Sequence, residues 1–250
     1  MTDDELLTQS AGVFIKTTLV DFPGLVASSY FLKGCNLRCP YCYNRDLVLP
    51  GTENKSSTDF VTPASVLEHL FKRKNVLEGF VISGGEPLLN PVTPVLIKKA
   101  KELGYKVKLD TNGTLPLLLE NLVKNRETCP DFIAMDIKTA PLRYKKDIPV
   151  TACLENADIK ALLEQSVKII SALGKNNFEF RTVLIPGLTE KNDLEQIAQI
   201  IPHDSSWQFA RFRNENCLDS AYNGITPFID RDLNELIEYA KSLIPGAALR

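Results

Sequence analysis

Histidine is almost missing from this chain: among 250 residues only His69 and His203 occur. A metal centre built on several imidazoles is therefore excluded. An excess of either charge is missing as well. The 29 basic and 31 acidic residues give a formal net charge of −2, so the totals call for neither a nucleic-acid nor a membrane partner. Long apolar runs are absent, and stretches such as 117–119 are far too short to span a bilayer. The acidic opening MTDDELLTQSAG has no basic segment ahead of an apolar one and does not read as a signal peptide. No tract rich in Pro, Gly and Ser separates one half of the chain from the other. Together these absences predict a single domain over residues 1–250, cytoplasmic, with its thiols kept reduced.

What is present is ordinary for a globular α/β protein, with 44% hydrophobic and 24% charged residues. Cysteine is the exception. Three of the six fall within eight consecutive positions, and in a reducing compartment such a cluster points to metal ligation before disulfides. Cys129, Cys153 and Cys217 are scattered and read as small buried or half-buried side chains.

From Val26 onward, β-rich runs alternate with amphipathic helical stretches. Strands are predicted at 26–31, 79–82, 105–109, 132–137, 178–185 and 207–212. A first helix begins at Thr62-Pro63, an N-cap followed by proline at N1, with Val66, Leu67, Leu70 and Phe71 on one face. Further helices are predicted at 91–103, 115–124, 159–173 and 194–201, with a C-terminal helix over about 230–244. Gly104 and Gly174 close two of them. Ile159, Leu162, Leu163, Val167 and Ile170 form an inward stripe. About six βα units imply a parallel sheet with right-handed crossovers. Periodicity leaves an open sheet and an incomplete barrel both possible. Either one places ligands at the carboxyl ends of the strands, where the unusual residues lie.

GCNLRCPYCYN spaces Cys35, Cys39 and Cys42 as CxxxCxxC. Three thiolates are one short of the usual four-cysteine set of an iron–sulfur cluster. An open coordination position suits a catalytic centre and not a structural one. The rival is a zinc site of three cysteines and one histidine, but neither His69 nor His203 has a ligand's spacing. Lys33, Arg38 and Arg45, on a loop over 33–46, are either solvated or offset the charge of a cluster and attract an acidic electron donor. Taken alone, Ser83-Gly84-Gly85-Glu86-Pro87 is a tight turn after a strand, and Asp110, Thr111 and Asp136 are helix caps.

CNLRCPYC, with Tyr41 ahead of the third cysteine, resembles the signature of the radical S-adenosylmethionine superfamily. TLVDFPG and the span through YCYNRD resemble the activases of glycyl radical enzymes, and the likeness runs from Thr17 to Asp219. The resemblance implies a partial (β/α)6 TIM-like barrel with parallel strands. It implies one 4Fe–4S cluster on Cys35, Cys39 and Cys42, with S-adenosylmethionine completing it. Gly84, Gly85 and Glu86 would meet the cofactor's amino group. Asp110, Thr111, Asp136 and Ile137 would form a methionine site with a monovalent cation. Lys138 would neutralise the methionine carboxylate, and Arg181 would reach the same cofactor. Tyr41 is a further contact, and Tyr43, where the activases often carry histidine, could stack on or bond to adenine. A late family histidine has no clear match in QFARFRNENCLD, where Arg211 or Arg213 stands. No cysteine lies between Cys42 and Ser83, so the extra ferredoxin-like clusters of some activases are not expected.

The implied reaction takes one electron from flavodoxin or ferredoxin and cleaves the sulfonium to a 5′-deoxyadenosyl radical. That radical then removes the α-hydrogen of a glycine in a partner, anaerobic ribonucleotide reductase first and pyruvate formate-lyase second. The alternatives are a radical enzyme acting on a small molecule, such as a carboxy-deazaguanine synthase, an iron–sulfur electron carrier, and a zinc-binding module.

Overall fold

The structure is a computed structural model that describes residues 1–9, 12–49 and 60–250. The chain forms two compact units, one of residues 1–35, 46–111 and 117–133, the other of 36–45, 112–116 and 134–250.

The first unit opens with α1 (Asp3–Gln9), β1 (Gly12–Thr18) and β2 (Ala27–Leu32). β1 and β2 are antiparallel, with Phe14 opposite Tyr30 and a slip in register between Ile15 and Thr18. Neither α1 nor β1 is predicted from the sequence. After α2 (Arg45–Val48), α3 (Pro63–Arg73) begins where Thr62-Pro63 places it, and the Thr62 hydroxyl accepts from Ser65 N–H at 3.3 Å. Val66 and Leu70 are buried and Leu67 is half-buried. Phe71 departs from expectation: it is 59% exposed and lies under the Lys74 ammonium. One residue past Leu70 is a turn of about 100° round the helix, enough to leave the buried stripe. His69 packs edge-on against Phe14 at 5.1 Å, a packing role.

β3 (Gly79–Gly84), α4 (Thr93–Glu102), β4 (Lys106–Thr111) and α5 (Pro116–Lys124) follow. β2, β3 and β4 are parallel, with Ala27 beside Gly79 and Gly79 beside Lys106. Tyr30, Leu32, Phe80, Ile82, Val107 and Leu109 share one face and are fully buried, and Val81 and Lys108 on the opposite face are buried as well. Burial on both faces is expected of parallel strands sandwiched between helices. Ser28 and Ser29 are equally buried, and each hydroxyl is matched: Ser28 donates to Lys16 O at 2.8 Å and Ser29 to Asp21 at 2.7 Å. β5 (Phe132–Asp136) begins in the first unit and ends in the second.

The second unit continues with α6 (Ile159–Ser171), β6 (Phe178–Leu184), α7 (Lys191–Ala198), β7 (Trp207–Arg211), α8 (Asp230–Leu243) and β8 (Ala247–Leu249). Asp158 caps α6, and of its predicted stripe Leu162 alone stays half-buried. α7 starts three residues before its predicted start, because Glu190 and Asp193 accept each other's backbone N–H groups in a capping box. β6, β7 and β8 are parallel. Phe180, Trp207 and Phe209 are fully buried, with the Trp207 and Phe209 rings 4.5 Å apart. The Trp207 indole N–H donates to the Thr182 hydroxyl at 3.0 Å. Within the first unit the strand order is β1-β2-β3-β4, and within the second β6-β7-β8. Among the described residues no helix is long and apolar enough to cross a membrane.

Phe209→Ala should cost about 3–5 kcal/mol, seen in urea unfolding as a lower midpoint at unchanged slope.

Candidate active site

In the first unit the site residues gather where β3 and β4 end. Gly84 has φ 125°, and a Cβ there would lie 2.3 Å from both Leu32 N and Leu32 O. A Cβ on Gly85 would lie 2.1 Å from Gly34 O and 3.0 Å from the Cys35 Cβ. Only glycine permits this approach of one backbone to another. Gly85 N–H donates to Leu32 O at 2.9 Å and Glu86 N–H to Gly34 O at 2.8 Å. The turn is thereby bonded to the residue that precedes the first cysteine.

Glu86 is fully buried, and its Oε1 accepts from Leu88 N–H at 3.1 Å and the Thr111 hydroxyl at 2.9 Å. It holds the strand-end loop in place. Asp110 does not cap a helix. Its carboxylate accepts from the Ser83 hydroxyl at 2.9 Å and from the ammonium of Lys108, a lysine with no exposed surface.

In the second unit, the part of the cysteine loop from Asn36 to Arg45 is tied down along its length. Leu37 bridges Val150, Arg38 N–H donates to Pro149 O at 2.7 Å, Thr151 N–H to Asn36 O at 2.9 Å, and Asp219 N–H to Pro40 O at 2.8 Å. The buried Asn36 amide donates to the Thr114 hydroxyl and accepts from Asn112, both at 2.8 Å, while Asn112 accepts from Thr114. Sequence reasoning missed this asparagine pair. Its one signal is a pair of amides flanking short motifs, Asn36 after Cys35 and Asn112 after Asp110-Thr111.

At the end of β5, Asp136 sits between two cations. Arg181 Nε donates to it at 2.7 Å and Lys138 Nζ at 2.9 Å. Burial by itself would raise the Asp136 carboxyl, but Arg181 and Lys138 outweigh it and hold the group well below the ordinary carboxylate range. For Lys138, burial is likewise outweighed by Asp136 and Cys39, which keep the ammonium charged. The three side chains retain 18–26% of their surface, so a ligand can still touch them. Lys138 N–H donates to the Tyr144 hydroxyl at 2.8 Å. Ile137 has both backbone groups engaged, its N–H with Arg181 O and its carbonyl with the Thr182 hydroxyl, and its side chain is buried.

The tyrosines divide. Tyr41 is buried, and among the described residues its hydroxyl has no partner. Burial first, then Cys39, pushes its phenol well above the ordinary value. Tyr43 is 42% exposed, and its hydroxyl accepts from Arg213 N–H at 2.7 Å. Its ring, not its hydroxyl, is the available part. Of the two late arginines, Arg211 is paired with Asp230 at 2.7 Å.

The scattered cysteines also divide. Cys217 is buried and Cys129 half-buried as expected, whereas Cys153 is exposed in a short turn, with the Thr151 hydroxyl 3.2 Å from its sulfur. All six cysteines are thiols.

The residues suit a thiolate-held iron–sulfur cluster. The donors are three soft sulfurs on one loop. Burial raises the Cys42 thiol, while the Asn44 backbone N–H first, then Lys138 and Arg38, offset part of that rise. The orphaned Tyr41 hydroxyl marks a place for a polar ligand group. Among the described residues no three His, Cys, Asp or Glu side chains converge closely enough for a single metal ion. Asp110 pairs with Lys108 in the first unit, and Asp136 pairs with Lys138 and Arg181 in the second.

Comparison with known proteins agrees with this chemistry. The family model of the radical SAM superfamily matches residues 29–201. A Methanocaldococcus jannaschii protein named as a candidate glycyl-radical enzyme activating enzyme is 30% identical over 239 residues, covering 94% of this chain and 93% of its own. The pyruvate formate-lyase-activating enzyme of Clostridium pasteurianum is 30% identical over 189 residues, 73% of this chain and 72% of its own. The crystal structure of Streptococcus suis SuiB bound to S-adenosylmethionine matches 86% of this chain and 47% of that longer one, with a TM-score of 0.57 at 19% identity. That likeness concerns the fold alone, and it bears out the α/β, partial TIM-like barrel class with mostly parallel strands.

Since the folded pKa of Asp136 lies below the unfolded value of about 3.9, its stabilising contribution is complete above that value. It is lost as pH falls from there toward the lower folded value. The stability gap between the cluster-free wild type and Asp136→Asn should therefore be constant above about pH 5 and narrow below about pH 4, measured by urea unfolding across that range.

Proposed function

This chain belongs to the radical SAM superfamily, and from that premise we propose that it activates a glycyl radical enzyme, with anaerobic ribonucleotide reductase as first partner and pyruvate formate-lyase as second. The observation that carries the reading is the group Arg181–Asp136–Lys138. Two cations meet one carboxylate there and keep reachable surface, which suits the carboxylate of an amino acid.

When bound, the cluster supplies the electron that cleaves S-adenosylmethionine to methionine and a 5′-deoxyadenosyl radical, the species that takes a glycine α-hydrogen from the partner. Everything else falls to the protein. Cys35, Cys39 and Cys42 bind as thiolates, and Lys138 and Arg38 favour the deprotonation that loading requires. Lys138, oriented by Asp136, meets the methionine carboxylate, with Arg181 behind it. Gly84 and Gly85 give the ligand's amino group access to backbone, and Glu86 holds their turn. The Tyr41 hydroxyl donates to the ligand, and the Tyr43 ring covers the adenine. Lys33, Arg38 and Arg45 suit an acidic donor such as flavodoxin or ferredoxin. The full-length relative named for glycyl-radical enzyme activation supports a protein substrate over a small molecule.

The test is anaerobic. Reconstituted protein with dithionite and S-adenosylmethionine should release 5′-deoxyadenosine, and with the right partner should generate a glycyl radical seen by electron paramagnetic resonance. Cys39→Ala should abolish both, and persistent turnover in that variant would sink the assignment. Lys138→Met should keep the cluster and weaken cofactor binding about 10–100-fold, or about 1.4–2.8 kcal/mol.

A further inference from the structure

Past the end of β5 the chain from Lys138 to Tyr144 closes on itself, because Lys138 N–H donates to the Tyr144 hydroxyl at 2.8 Å. Arg143 staples this turn to the loop after β6. Its guanidinium donates to Gly187 O at 2.7 Å, Leu188 O at 3.1 Å and Asp193 at 3.0 Å, and to Asp147 at 2.7 Å. The Thr139 hydroxyl adds a bond to Leu188 O at 2.6 Å. Tyr144 lies on the inside of the turn and is 4% exposed. It also stands beside Ile148, and the residues that follow carry the cysteine loop: Pro149 O accepts from Arg38 N–H and Val150 bridges Leu37. One short segment of the second unit thus holds both Lys138 and the loop of Cys39 and Cys42.

The acceptor at this place has to be chosen for its charge. A backbone N–H at a buried strand end needs a partner. A carboxylate would satisfy it, but would also draw the Lys138 ammonium and compete with the carboxylate of a ligand. The phenol does neither, since burial pushes it well above its ordinary value and keeps it neutral. Lys138 is then fixed at two points, its ammonium on Asp136 at 2.9 Å and its backbone on Tyr144. A charged group recognises a ligand only when it is held within about 0.5 Å of its productive place, and one anchor on a long flexible side chain does not achieve that.

We propose that Tyr144 is a positioning residue: by accepting the Lys138 N–H it fixes the backbone from which the Lys138 ammonium meets the methionine carboxylate of S-adenosylmethionine. The inference rests on the assignment of Lys138 to that carboxylate.

The first test is amide hydrogen exchange in the cluster-free chain, read residue by residue by nuclear magnetic resonance. In Tyr144→Phe, Lys138 N–H should exchange about tenfold faster than in wild type, the loss of one hydrogen bond. Phe180 and Trp207, whose N–H groups are bonded to Ser206 O and Gly246 O, should keep their protection. The second test titrates reconstituted protein with S-adenosylmethionine and with decarboxylated S-adenosylmethionine. Tyr144→Phe should retain the wild-type iron content and bind S-adenosylmethionine about tenfold more weakly. It should bind the decarboxylated analogue within about twofold of wild type, and adding Tyr144→Phe to Lys138→Met should weaken S-adenosylmethionine binding by no more than about twofold.

Unchanged exchange at Lys138 overturns the proposal. So does an equal loss of affinity for both ligands, a loss of iron, or a Tyr144→Phe chain that does not fold, each of which would make the tyrosine a general support. Should reconstituted wild type bind neither ligand, the functional assignment falls, and the exchange series alone decides whether Tyr144 fixes Lys138.

Discussion

A carboxylate shared between two cations organises the second unit's part of the site. Asp136 ends β5, Arg181 comes from β6, and Lys138 lies two residues past Asp136. In a sheltered place such pairs are far stronger than on the surface, because water screens them less. Their strength fixes where Lys138 points. Its positive charge in turn reaches Cys39 and Cys42, which must lose protons to hold iron.

The first unit solves the same problem by other means. Asp110 receives the ammonium of a lysine from its own strand, and the buried Glu86 accepts from a hydroxyl and a backbone N–H. In both units the groups that would touch a charged ligand are set in position before it arrives. Preorganisation of this kind spares the ligand the cost of ordering side chains. The remaining loose end is the Tyr41 hydroxyl, buried and without a partner among the described residues. An unpaired buried donor is costly in a resting fold, and a polar ligand group relieves that cost.

Backbone proximity is the second constraint. Gly84 and Gly85 are pressed against Leu32 and Gly34, so the position ahead of the first cysteine is set by main-chain bonds and does not depend on long side chains. The rest of the loop is held by the Asn36, Asn112 and Thr114 network and by bonds to Pro149 and Asp219. Helical and strand hydrogen bonds alone would leave this loop with unmatched amides.

The cysteine spacing, the Thr62-Pro63 cap, the strand ends that carry GGE, DT and DIK, and the α/β alternation could all be read in the sequence. Each is written within a few neighbouring residues. The antiparallel β1, the short β8, the exposed Phe71 and Cys153, and the inward Lys108 could not. Three residues of β8 carry no periodicity, and Phe71 lies one step beyond a stripe that its composition would have joined. Asn36 meets Thr114 across 78 positions of chain, a distance no local pattern encodes. Lys106 and Lys108 look alike in sequence, and only the packing around β4 makes one a surface charge and the other an internal one. Local chemistry determined which atoms could bind iron and cofactor. The tertiary structure decided which charges meet, because desolvation and pairing depend on neighbours in space.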